Sequence, residues 1–235
     1  DPVARFDARE EVSAQLAAGT VSITPFVTGR LTAYDDSFES FSPDADEQYR
    51  LWGSVGVTAA TEAQRIDNAA ESRLFDVHRL RHILAPSITV WHAESSIDRV
   101  DLPVYDDEVE SLAEGTAIRL NLDQTFQTQR GGAGRWRSVD FLTIGTELVV
   151  SSGDVDRESP IGRFFAYRPE YSNLGGTYGT LDVAWQATEV LGVGVRTVYD
   201  FDLNQPAATF TGFTLQHTPD FSSYAESRYL NAQDQ

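Results

Sequence analysis

The feature that most constrains this chain is two-residue alternation, sustained over runs longer than an ordinary strand. In VSITPFVTGRLTAY, Val21, Ile23, Pro25, Val27, Gly29, Leu31 and Ala33 share one side. Ser22, Thr24, Phe26, Thr28, Arg30, Thr32 and Tyr34 share the other. In TAIRLNLDQTFQTQR, Ile118, Leu120, Leu122 and Phe126 oppose Arg119, Asn121, Asp123, Thr125 and Gln127. LDVAWQATEVLGVGVRTVYDF adds two such runs, one with Leu181, Val183, Trp185 and Ala187, the next with Leu191, Val193, Val195, Tyr199 and Phe201. An extended chain points successive side chains to opposite faces, so each run predicts a strand with one apolar and one polar face.

Helical periodicity is almost missing. The alternation predicts about eleven strands, with ten or twelve also compatible. They fall near 4–16, 19–35, 48–64, 79–95, 115–130, 136–152, 162–173, 176–188, 190–203, 206–218 and 221–232. Most reach the roughly nine to eleven residues with which a tilted strand crosses a bilayer. NLGG and TEV read as tight turns, whereas DDSFESFSPDADEQ and AESSIDRVDLPVYDDEVESLAEG are long and acidic. Short turns on one rim and long loops on the other is the asymmetry of an outer-membrane barrel.

A soluble sandwich alternates too, with its polar face in water. Arg30, Arg119, Asp123, Glu147 and Asp182 would suit that face or a water-filled lumen equally. Tyr34, Tyr49, Trp91, Trp136, Phe164, Phe165 and Tyr199 lie near strand ends, as interfacial girdles or as core packing. The expectation is an all-β fold: an antiparallel up-and-down meander of about 10–12 long strands, either a transmembrane β-barrel or a fragment of a larger one. Residues 1–235 read as a single β-barrel region.

Composition narrows the function. The formal charge of −18 disfavours a nucleic-acid partner, which needs a basic surface. There is no cysteine, so disulfides and thiolate zinc sites are excluded. No apolar run is long enough for a transmembrane helix. The opening DPVARFDARE and the absence of methionine suggest an excerpt or a processed chain.

No enzyme constellation is present: no phosphate-binding loop, nucleophile elbow, HExxH or EF-hand pattern. The glycines of QRGGAGRW lie between two strands and read as a turn. HRLRHILAPSITVWH holds His78, His82 and His92. At strand rise, His78 and His82 are roughly 13 Å apart and His82 and His92 roughly 33 Å, too far to share a metal. They read as polar tips at strand ends. The acidic clusters Asp35, Asp36, Glu39, Asp44, Asp46, Glu47 and Asp106, Asp107, Glu108, Glu110 match no defined calcium loop and read as solvated. No catalytic residue, metal ligand or cofactor is expected.

Residues 75–130 resemble the C-terminal barrel domain of the lipopolysaccharide-assembly outer-membrane protein, the LptD or OstA type. A strand ends in Leu84-Ala85-Pro86, a polar loop follows, then Leu102-Pro103-Val104-Tyr105-Asp106 and a further strand. RFDAREEVSAQLAAGTVSITPFVTGRLTAY is similar to the family's earlier strands. The resemblance implies an outer-membrane translocon that inserts lipopolysaccharide, or a related glycolipid, into the outer leaflet without bond chemistry. It also implies a plug lipoprotein and a periplasmic bridge protein as partners. The family's periplasmic jelly-roll is not recognisable, and about eleven strands is less than half a family barrel.

Thr28, Arg30, Arg119, Asn121 and Asp123 are the candidates for a hydrated, lumen-facing substrate path. Pro25 and Pro86 are expected to weaken their strands, because proline removes a ladder donor. Two alternatives remain at this level: a passive outer-membrane porin, and a soluble all-β binding module with acidic loops.

Overall fold

A computed structural model describes residues 4–35, 48–98, 101–103, 105–106, 109–110, 112, 114–152 and 176–231. These form β1 (Arg5–Ser13), β2 (Leu16–Ala18), β3 (Val21–Tyr34), β4 (Tyr49–Ala60), β5 (Ala63–Ser72) and β6 (Val77–Ser95). The chain continues through β7 (Gly115–Arg130), β8 (Arg137–Ser151), β9 (Tyr178–Gln186), β10 (Leu191–Asp200), β11 (Gln205–Thr218) and β12 (Phe221–Leu230). All belong to one twelve-stranded sheet, paired antiparallel as a meander, with β1 and β12 at its two open edges. No α-helix occurs among the described residues.

Two of the short strands are products of proline. β2 continues β1 against the same neighbour, β3, in the same register: Ser13 faces Phe26 and Leu16 faces Ile23. The interruption at Ala14 lies opposite Pro25. The Ala14 N–H donates to the Pro25 carbonyl at 3.2 Å, and Pro25 has no N–H to return. β4 and β5 repeat the arrangement against β6, with Ala60 facing Ser87 and Ala63 facing Leu84. Thr61 N–H donates to the Pro86 carbonyl at 3.2 Å across that gap. In both places the interruption falls on the strand beside the proline, while the proline's own strand continues. Counted by ladder position, the sheet has ten long strands.

Turns sort by length. The connections 19–20, 73–76, 131–136, 187–190 and 219–220 lie at one rim, and 35–48, 96–114 and 152–177 at the other, together with the short 201–204. Gly131 illustrates the tight rim: its φ is +125°, and a Cβ there would sit 2.3 Å from the Arg135 carbonyl oxygen. The expected strand at 162–173 lies outside the described residues, as do most of the NLGG turn and Phe164 and Phe165. β8 pairs directly with β9. β5 was not anticipated from the sequence, since AQRIDNAAES lacks an apolar face.

The faces are inverted relative to a soluble sheet. Thr28, Thr32, Arg50, Ser54 and Thr89 are buried, whereas Val27, Leu31, Leu51, Val55 and Val90 on the opposite face are exposed. The same side continues through Ile118, Leu120, Val150 and Phe213. Each such side chain would gain roughly 1.5–3 kcal/mol by leaving water, and soluble monomers seldom expose so continuous an apolar surface.

Candidate functional site, the polar face

Register places all five path candidates on the polar face. Thr28 and Arg30 lie on β3, and Arg119, Asn121 and Asp123 on β7, with β4 and β6 between them. The two groups do not meet; each is tied to its own neighbours. Arg30 donates two bonds to Asp7, at 2.8 and 2.6 Å, and the Thr32 hydroxyl adds a third at 2.8 Å. Thr28 reaches Glu11 at 3.3 Å, and Glu11 also pairs with Arg9. Arg119 pairs with Glu147 on β8, while Asn121 donates to Asp123 at 2.8 Å. Asp182 with Arg196, and Glu226 with Arg228, extend the series to β12.

Arg30–Asp7, Arg119–Glu147 and Asp182–Arg196 reach across neighbouring strands, whereas Arg9–Glu11 and Glu226–Arg228 join same-face positions two residues apart on one strand. Paired charges make a wall that is polar yet close to locally neutral. Between β7 and β12 this wall borders an open concavity of about 1200 Å³, with Asp182, Arg196, Phe210, Glu226 and Arg228 among its lining. Ala184, Gly194 and Gly212 follow one another across its floor, aligned in register.

Beside β1, β3 and β4 the long-loop rim is covered by residues whose acidic run suggests a solvated loop. Glu110 is fully buried. Its carboxylate accepts from Arg5 at 2.7 Å and from the Tyr34 hydroxyl at 2.9 Å, and its other oxygen accepts the Asp106 N–H at 2.8 Å. Arg50, also buried, donates to the carbonyls of Glu110 and Val109. Leu102 and Ile97 pack with Tyr34 beside them. The loop 96–114 is thereby fastened onto the polar face. The missed signal was the apolar spacing of Leu102, Val109 and Leu112 within an acidic loop. Of the other acidic cluster, Asp35 accepts the Ala4 N–H at 2.8 Å, and Asp36 to Glu47 lie outside the described residues.

For two of the strand-end aromatics the packing alternative holds. Tyr34 and Trp91 point to the polar face and are buried there. Trp91 meets Trp52 with ring centroids 5.8 Å apart, and Phe26 and Leu112 pack around them. Tyr49 and Trp136 are exposed, and Tyr199 packs on Phe201 at 5.1 Å.

The histidines stay apart. His82 stacks on Phe126 at 4.2 Å in mid-strand rather than at a strand end, His78 meets Trp136 at 5.0 Å, and His92 lies 3.0 Å from the Thr116 hydroxyl. Among the described residues no group of three or more His, Asp or Glu side chains could hold a metal ion. No family model and no curated protein sequence matches the chain.

Proposed function

We propose that the chain forms part of the wall of a transmembrane β-barrel in the bacterial outer membrane, whose polar face borders the path of lipopolysaccharide or a related glycolipid. The observation that carries this reading is the inversion of faces: an exposed apolar face backs a polar face of paired charges. Bilayer hydrocarbon outside and water inside would satisfy both. Short turns on one rim and long loops on the other support the orientation, with the long loops outward. The choice of a glycolipid rests on the resemblance of residues 75–130, which also brings the plug lipoprotein and the bridge protein as proposed partners. No bond chemistry is assigned to the wall.

Photo-crosslinking residues at Thr28 and Asn121 test the reading in cells. Adducts with lipopolysaccharide are expected at both. Their absence, with ion conductance through the purified protein, would favour the passive channel. A chain that folds as a monomer in detergent-free buffer would favour the soluble module.

A further inference from the structure

All eighteen basic side chains of the Lys and Arg type are arginine. On the polar face these are engaged: Arg5, Arg9, Arg30, Arg119, Arg196 and Arg228 with carboxylates, and Arg50 with carbonyls. Arg73, Arg79 and Arg135 differ. All three are exposed, and their side chains make no hydrogen bond or ion pair with any described residue. They gather on two neighbouring hairpins of the short-turn rim, where the His78 ring meets Trp136. Leu74 and Trp136 beside them are 82% and 48% exposed.

Their presentation is fixed by buried groups. Arg79 has a φ of 60°, a left-handed conformation that costs a non-glycine residue free energy and persists only where its surroundings enforce it. Thr128 enforces it: its hydroxyl accepts the His78 N–H at 2.9 Å and shares its proton between the His78 and Arg79 carbonyls, at 3.1 and 3.0 Å. Arg130, fully buried, donates to the carbonyls of Phe75 and Asp76 on one side and of Gln186 and Ala187 on the other. Phe75 in turn packs edge-on to Trp185 at 5.9 Å. The 73–76 turn is thus held against the rim.

The opposite rim is far more acidic: residues 96–114 carry seven acidic side chains against Arg99 alone and residues 35–48 carry six with no base, whereas the five short turns carry Arg73 and Arg135 against Asp76, Glu189 and Asp220. Unpaired guanidinium groups beside an exposed tryptophan and leucine suit the boundary between a bilayer and water. There the aromatic ring sits at headgroup depth and arginine binds phosphate oxygens.

We infer that the rim formed by Arg73, Arg79, Arg135 and Trp136 binds the phosphate headgroups of anionic phospholipid in the leaflet at the short-turn end. This rests on the membrane-barrel reading. The test uses nanodiscs containing phosphatidylglycerol and phosphatidylcholine, with the lipids that remain on the extracted protein counted by native mass spectrometry.

Phosphatidylglycerol should be enriched over its bulk share. Each guanidinium lost should reduce that enrichment by about fivefold, so that R73Q/R79Q/R135Q returns it to the bulk ratio. R73K/R79K/R135K should retain most of it, and Arg135→Gln alone, on an exposed turn, guards against misfolding of the triple variant. No enrichment in the wild type, equal enrichment in the glutamine variants, or equal loss in the lysine variant would overturn the inference. A protein that inserts without lipid preference removes this site alone, whereas one that inserts into no bilayer removes the barrel reading with it.

Discussion

Thr61 donates its N–H to the carbonyl of Pro86 at 3.2 Å, and Pro86 has no N–H with which to complete the pair. That one absent donor divides a long strand into β4 and β5 while leaving its register intact. Pro25 does the same opposite Ala14, dividing β1 from β2. Pro86→Val should supply the missing donor, introduce a protected amide at position 86 and slow amide exchange around the Thr61–Glu62 gap. The gain should be about 0.5–1.5 kcal/mol, less the entropic advantage proline confers through the unfolded chain. Unchanged exchange across the gap would mean that something other than the missing donor interrupts the strand.

Glu110 is the fastening point of the long loop. Glu110→Ala removes the acceptor of Arg5, of Tyr34 and of the Asp106 N–H together. Hydrogen bonds to a charged group contribute about 1.5–3 kcal/mol each, so the loop should detach before the sheet unfolds. Limited proteolysis should then cut within 96–114 while the strands stay protected. Glu110→Gln, which keeps the shape, should show an intermediate effect.

Arg119 and Glu147 form a cross-strand pair on β7 and β8. Arg119→Glu would set two carboxylates facing each other and destabilise the sheet by roughly 1 kcal/mol or more. The exchanged pair R119E/E147R should recover most of that loss in urea unfolding. Recovery in the double variant is the signature of direct coupling; simple additivity would place the two residues in independent roles.

Glycine positions offer a packing test. A Cβ on Gly56 would lie 2.4 Å from the Phe26 ring and 2.9 Å from the Val90 carbonyl oxygen, whereas one on Gly29 would meet nothing within 4 Å. Gly56→Ala should cost about 1–3 kcal/mol, the range for overpacking a filled site. Gly29→Ala should be close to neutral. Equal effects at both positions would contradict the packing of Phe26 over β4.

Much of the sheet was legible because two-residue periodicity is a direct imprint of strand geometry. VSITPFVTGRLTAY gives β3 nearly to the residue, and Arg119, Asn121 and Asp123 fall on the face their spacing requires. β5 was not legible, since its neighbour on one side is solvent and it needs no apolar face. Glu110 was hidden for a different reason. A carboxylate in an acidic run looks solvated until its partners, Arg5 and Tyr34, are brought from more than seventy residues away. Trp91 stayed open between girdle and packing, because strand-end position alone does not say which face an aromatic uses.

The central claim is that the apolar face meets hydrocarbon and the polar face meets water. The chain has no cysteine, so single cysteines can be spin-labelled at Val55, Leu120 and Phe213 on one face and at Ser54, Asn121 and Thr214 on the other. In reconstituted vesicles, electron paramagnetic resonance should find the first set accessible to oxygen and shielded from a water-soluble nickel chelate, and the second set the reverse. Equal access of the nickel chelate to both sets would contradict the account.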